Sequence, residues 1–337
     1  MSESFFGLSP EDQLAALEHA AHASGRPPHL LEKDIWVVWV LQQLFRAPFG
    51  DDLVFKGGTS LSKAWHVIER FSEDIDLTYD IRAIAPDLTD HGATPLPASP
   101  SQEKKWSKAI RTRLTEWVQT IAIPFLAARL ASAAPTANLR PEQDRIFIDY
   151  PALAQGTGYV TASVMLEFGA RSTGEPAEQR HIVCDTSPVI KEISFPEAVV
   201  RAMRAERTFW EKATAIHVFC RQGNFRGGNR FSRHWHDVAR LDEHGFADKA
   251  IQDRELARAV AQHKGMFFRE KDAHGTPIDY LAAIQGRLQL VPSADARTRL
   301  AADYERMIAD GLFLNDAVSF EALMAHCAHI ERKINRL

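Results

Sequence analysis

The sequence predicts an α+β fold: a small mixed sheet with flanking helices in the first half, followed by a mainly helical C-terminal half. Three observations carry this. The apolar run Leu53–Phe55 breaks at Gly57-Gly58, passes into helical spacing and returns as the alternating Asp74-Ile75-Asp76-Leu77. Runs at 145–150, 159–168 and 181–185 have the β-branched and alternating character of strands. From Glu197 onward the apolar positions recur with helical period nearly to the end. The predicted division is an α+β domain over 1–190 and a helical domain over 191–337, with the boundary near Ser187–Pro196.

Taken in order, Ser9-Pro10-Glu11-Asp12 reads as a helix start, and a second helix begins near Pro28 and runs through Trp36, Val37, Val38 and Leu41. Leu53–Phe55 is then a strand, and Lys56-Gly57-Gly58 a turn where missing Cβ atoms let backbone N–H groups approach a ligand. Thr59 or Ser60 is placed to cap the next helix, whose N-terminus suits phosphate. That helix is expected to bury Leu61, Ala64, Trp65 and Ile68 and to end near Phe71. The stretch Pro86–Pro100, with four prolines and a glycine, reads as a surface loop, and a long helix follows from Gln102 to about Leu130. The strands at 145–150 and 159–168 are expected to join as a hairpin through Gly156-Thr157-Gly158.

Asp74 and Asp76, two apart on a strand, share one face while Ile75 and Leu77 enter the core. Adjacent carboxylates repel unless a cation lies between them, and Mg²⁺ accepts one or two protein carboxylates with water and substrate phosphates. Glu167, in the apolar run Val164–Phe168, is the candidate third carboxylate, because an uncompensated glutamate inside such a strand opposes folding. Its alternative is a solvated edge position or a pair with Arg171, and Glu192 is the rival for the metal role.

Composition narrows the classes. With 45% hydrophobic and 25% charged residues in 337 the chain is of ordinary globular type, and nothing in it approaches a membrane span, so it reads as cytoplasmic. Cys184, Cys220 and Cys327 are too scattered for a disulfide framework or a zinc ribbon. Net charge is −4, yet Arg201–Arg240 holds nine Lys or Arg against three acids, the distribution a phosphate-rich substrate needs beside an acidic metal centre. Within it, Arg221–Phe231 mixes arginine, aromatic and glycine as single-stranded RNA contacts do, or as a plain interhelical connection does. His234 and His236 are i, i+2 on a helix and do not face each other, which argues against zinc. There is no Gly-x-Ser-x-Gly and no complete Walker-type loop.

The segment Phe55–Leu77, FKGGTSLSKAWHVIERFSEDIDL, resembles the nucleotidyltransferase superfamily, with its Gly-Ser turn and Asp-x-Asp. Three further stretches resemble the AbiEii/AbiGii-type toxin family within it: Leu31–Trp36, the Thr-x-x-Glu-Lys helix at Thr208–Lys212, and the Arg-x-x-x-Asp helix at Arg233–Asp237. The resemblance spans about residues 30 to 245. It implies Mg²⁺-dependent transfer of a nucleoside monophosphate from an NTP, with Asp74, Asp76 and Glu167 at the metal and Gly57, Gly58, Thr59 and Ser60 at the phosphates. Lys212 would meet the triphosphate, Asp237 would orient Lys212 or the attacking hydroxyl, and Arg233 lies one turn away. The implied setting is a toxin–antitoxin or phage-defence pair, with a cognate antitoxin and the 3′ end of tRNA as the leading acceptor. Two other readings stay open: modification of a protein hydroxyl by NMP or phosphate transfer, and a non-catalytic nucleotide-sensing protein.

Overall fold

The computed structural model of the chain describes residues 3–89, 95–133, 137–156, 160–223 and 231–336. In chain order the elements are β1 (Glu3–Ser4), α1 (Pro10–Ser24), α2 (Pro28–Phe45), β2 (Leu53–Lys56), α3 (Gly57–Lys63), β3 (Ile75–Tyr79), α4 (Ile81–Ile84) and α5 (Pro86–Thr89). Next come α6 (Pro100–Trp117), α7 (Ile123–Ala133), β4 (Asn138–Glu142), β5 (Arg145–Asp149), β6 (Ser163–Gly169), β7 (Ala177–Val183), β8 (Ile193–Ser194) and β9 (Glu197–Met203). Helices complete the chain: α8 (Ala205–Gln222), α9 (Arg233–Glu243), α10 (Phe246–Gln252), α11 (Arg254–Phe267), α12 (Tyr280–Ala282), α13 (Ala294–Ala309) and α14 (Phe320–Asn335). The fold is the expected α+β type with a mixed sheet.

Contacts group these elements into two units. The first comprises Met1–Ala64, Phe71–Pro95 and Lys105–Met203; the second comprises Trp65–Arg70, Leu96–Lys104 and Arg204–Leu337. The first unit is built on a seven-stranded sheet of order β4-β5-β6-β3-β2-β9-β7, in which β3 runs parallel to β6 and antiparallel to β2. Helix α2 packs on β9 and β6. Nearly its whole circumference is buried, Glu32, Lys33 and Asp34 included, as expected of a helix that is apolar all round. Ser9 caps α1 by accepting from the Asp12 amide at 3.2 Å, as the sequence predicts. In the second unit α8 packs against α9, α10 and α11. The fully buried Trp210 and Trp235 satisfy their indole N–H groups on the carbonyls of Ala250 and Leu290. All three cysteines are free and buried.

Four expectations need correction. Residues 197–203, read as helical, form β9, where Ala198, Val200 and Ala202 are buried at a period of two. The helix after Gly57 ends at Lys63, far short of Phe71, and His66 takes a left-handed φ of 52°. Its apolar residues beyond Ala64 serve the second unit instead: Trp65 stands edge-on to Phe246 at 5.7 Å. The long helix from Gln102 is interrupted by a π-helical turn at Val118–Ala122. The strand expected at 181–185 is displaced to β7. Strands β5 and β6 do pair antiparallel, but Thr157 and Gly158 of the expected hairpin turn lie outside the described residues.

Candidate active site

In the first unit the glycine turn and the Asp-x-Asp segment meet at close range. Gly57 has φ +81°, a conformation an L side chain rarely adopts. A Cβ there would lie 2.1 Å from Asp76 Oδ2, so the Asp76 carboxylate occupies the space that glycine leaves open. Strand β3 alternates as expected, with Ile75 and Leu77 fully buried and Asp76 half-buried on the other side. Asp74 lies one residue before the strand. Its carbonyl accepts from Thr59 Oγ1 at 2.5 Å. Thr59 Oγ1 also accepts from the Ser72 hydroxyl at 3.0 Å and Thr59 is only 1% exposed, so this hydroxyl fixes the approach to β3.

Thr59 and Ser60 are therefore not the cap residues the sequence suggests. Lys56 occupies the N-cap position, and Ser60, fully buried, donates to the Gly57 carbonyl at 3.0 Å. Gly57 and Gly58 alone of the four stay partly exposed.

Register places Glu167 of β6 directly beside Asp76 on the parallel neighbour strand. Partnered residues share one side of a sheet. A row therefore crosses four strands as Arg145, Glu167, Asp76 and Lys56: cation, acid, acid, cation. Arg145 Nη2 lies 2.7 Å from Glu167 Oε2 in a solvent-exposed pair. Strand β6 is thus an interior strand, and the partner of Glu167 is Arg145 where the sequence suggested Arg171. Glu192 is exposed and precedes β8, which pairs only with β1 outside this sheet. Among the described residues no three His, Cys, Asp or Glu side chains come together as a metal-binding set. The candidate donors are the hard carboxylate oxygens of Asp76, in the space that Gly57 leaves open, and of Asp74 two residues before it. That pair fits Mg²⁺, which needs no third protein ligand.

Sequence reasoning passed over the role of Glu32-Lys33-Asp34. Consecutive helix positions point in different directions, and each of these buried groups holds a different segment. Glu32 accepts from the amides of Leu153 and Ala154. Lys33 Nζ donates to Glu73 Oε2 at 2.6 Å and to the Thr161 carbonyl at 2.9 Å. Asp34 pairs with Lys63, the last residue of α3, at 2.6 Å, and Lys63 also meets Asp185 at 2.7 Å. Burial and the Asp185 carboxylate push Asp34 up to about 6, with Lys63 opposing. The readable signal was three successive charges inside an apolar helix.

In the second unit Asp237 is a completely buried hub. Arg70 grips it bidentately, Nε to Oδ1 and Nη2 to Oδ2, each at 2.7 Å. Lys212 Nζ lies 2.9 Å from Oδ2, and His236 Nδ1 lies 3.4 Å from Oδ1. Burial alone would raise the Asp237 pKa, but Arg70 and Lys212 hold it well below the usual carboxylate range. Burial lowers the pKa of Lys212, with Arg70 and Arg233 adding to the effect and Asp237 opposing it. His236 also lies 3.2 Å from Asp316 Oδ2; burial works against its protonation, yet the Asp237 and Asp316 carboxylates raise its pKa. Arg233 opens α9 one turn before Asp237. Lys212 and Asp237 are thus brought together as expected. Arg70 and Asp316 were missed, because their partners lie far away in sequence, and His236, weighed only for zinc, instead contacts the adjacent Asp237 and the distant Asp316.

The basic block looks different in three dimensions. Arg201 pairs with Glu175, Arg204 with Glu206, Arg207 with Glu211, Lys212 with Asp237, Arg221 with Asp272 and Arg240 with Glu243. Most of its positive charge is therefore matched by internal carboxylates. The rest of the proposed RNA loop, Asn224–Arg230, lies outside the described residues.

The sequence pattern of the nucleotidyl transferase AbiEii toxin family, a type IV toxin–antitoxin system, matches residues 39–326. Among solved structures the chain is similar to MenT4, a nucleotidyltransferase toxin from Mycobacterium tuberculosis H37Rv. The two share 16% identity and a TM-score of 0.50, over 98% of this chain and 91% of that one. It is also similar to JHP933 from Helicobacter pylori at 14% identity and TM-score 0.41, over 91% and 92% of the two chains. No curated protein matches. No helix among the described residues is long and apolar enough to cross a membrane.

Proposed function

Because this chain belongs to the nucleotidyl transferase AbiEii toxin family of type IV toxin–antitoxin systems, we propose that it transfers a nucleoside monophosphate from an NTP to an acceptor hydroxyl, for which the 3′ end of tRNA is the leading candidate. An antitoxin partner and a nucleotide substrate follow from the family. The observation that carries the reading is the Asp76 carboxylate seated against the Gly57 turn on a central strand. In the transfer the acceptor oxygen bonds to the α-phosphorus while the bond from that phosphorus to the β-phosphate oxygen breaks, releasing pyrophosphate.

Asp74 and Asp76 would hold Mg²⁺, which when bound supplies charge neutralisation at the phosphates and acidifies the attacking hydroxyl. The chain's own contribution is positional. Gly57 and Gly58 offer accessible backbone to the terminal phosphates, while Thr59 and Ser60 act from beneath by fixing Asp74 and the turn. Glu167, engaged by Arg145, supplies negative charge beside Asp76. Lys212 takes its triphosphate role from the family's Thr-x-x-Glu-Lys motif, with Asp237 orienting it and Arg233 adding positive charge.

The test is incubation of the protein with Mg²⁺, total RNA and each NTP labelled at the α-phosphate, beside Asp76→Ala. A tRNA-sized labelled band that disappears in the variant is the expected result. Label on protein, or NTP binding without transfer, overturns the RNA reading in favour of a protein-modifying enzyme or a nucleotide sensor.

A further inference from the structure

We propose that Lys33 is a positioning residue that sets the metal-binding geometry of Asp74 by tying together the starts of the two strands that carry the site's carboxylates; this rests on the metal reading of Asp74 and Asp76 given above. Lys33 lies on α2, 2% exposed, and does not belong to the glycine turn or the Asp-x-Asp segment. Its ammonium donates to Glu73, the residue immediately before Asp74, at 2.6 Å. It also donates to the carbonyl of Thr161, two residues before β6, at 2.9 Å. Strands β3 and β6 run parallel with Asp76 opposite Glu167. One buried cation therefore anchors both lead-ins on the same side of that register.

Asp74 needs such an anchor more than Asp76 does. Asp76 lies within the ladder, with register partners on both neighbouring strands. Asp74 precedes the ladder, so its backbone is placed by side chains: Thr59 Oγ1 at its own carbonyl, and Lys33 through Glu73. Removing groups that orient metal ligands from behind typically costs about 10–100-fold in metal affinity.

A stability effect alone would not establish this role, because breaking any buried ion pair destabilises. The test therefore uses Lys33→Met and the double variant Lys33→Met/Glu73→Gln, in which neither partner is left as an uncompensated charge. Mn²⁺ binding is followed by electron paramagnetic resonance, which needs no turnover, alongside thermal unfolding. The expected result is a lowered Tm in the single variant and recovery in the double, while Mn²⁺ affinity stays reduced by about tenfold or more in both. Wild-type Mn²⁺ affinity in the folded double variant overturns the positioning role and leaves the metal assignment standing. Failure of the unaltered protein to bind Mn²⁺ overturns both. Mn²⁺ binding by the unaltered protein without nucleotidyl transfer, together with weakened binding in the double variant, supports the positioning role and defeats the transfer reading.

Discussion

Asp76 and Asp237 both stand in motifs that resemble a nucleotidyltransferase, and their surroundings are opposite in kind. Asp76 is half-buried on a central strand, with an acid, Glu167, and a cation, Lys56, as its register neighbours. Asp237 is fully buried and meets two cations and an imidazole. A carboxylate beside a like charge is well disposed to a further cation. A carboxylate clamped by a bidentate arginine is already satisfied, and its loss exposes the clamp. In the proposed reading Asp76 serves the chemistry, and Asp237 the architecture that holds Lys212.

The comparison breaks most visibly on activity. Asp76→Asn should lower nucleotidyl transfer by about a thousandfold or more, the scale of several kcal/mol of lost charge stabilisation. In metal-free buffer the same change should alter stability by no more than a few tenths of a kcal/mol, since the like charge of Glu167 and the opposite charge of Lys56 flank Asp76 and their effects oppose each other. Urea unfolding and α-labelled NTP transfer on one preparation read both.

Asp237→Asn should do the reverse to stability, costing about 3–5 kcal/mol because Arg70 and Lys212 lose a buried counter-charge. The pH dependence has a definite sign. The folded-state pKa of Asp237 is depressed, so its contribution is fully present above the unfolded value of about 3.9 and is lost as pH falls through the folded one. Urea midpoints at neutral pH and in acid should therefore differ less in Asp237→Asn than in the unaltered chain.

Gly57→Ala joins the two kinds of effect. A left-handed φ costs a non-glycine residue about 1–3 kcal/mol. The added methyl would also press on Asp76 at 2.1 Å, so transfer should fall with the stability loss. The smallest effect is expected from Thr59→Val, about 1 kcal/mol for a lost hydroxyl bond. It should weaken Mn²⁺ binding more than it lowers Tm, because that bond ends on the Asp74 carbonyl.

Local pattern revealed the β2–turn–β3 unit, since Gly57, Ile75 and Leu77 obey local rules of φ and alternation. Pattern failed at residues 65–71 because Trp65 and Arg70 are drawn into the second unit by Phe246 and Asp237, partners 167 or more residues away. It failed at 197–203 because Ala, Arg and Met are good helix formers, and only pairing with β2 and β7 turns them into a strand. For the site, the motifs pointed to Asp74, Asp76, Lys212 and Asp237 as candidate chemistry-bearing residues. Of the groups around them, Lys33 carried only the signal of successive charges inside an apolar helix, Thr59 was read as a cap, and Arg70 had no local signal at all. In the basic block a sequence counts charges, and folding pairs several of them with carboxylates.

The most direct test is to measure transfer rate and unfolding free energy together for Asp76→Asn. Loss of transfer with stability changed by no more than a few tenths of a kcal/mol is the predicted result. A stability loss as large as that of Asp237→Asn would contradict the account, because it would make Asp76 one more carboxylate that the fold itself requires.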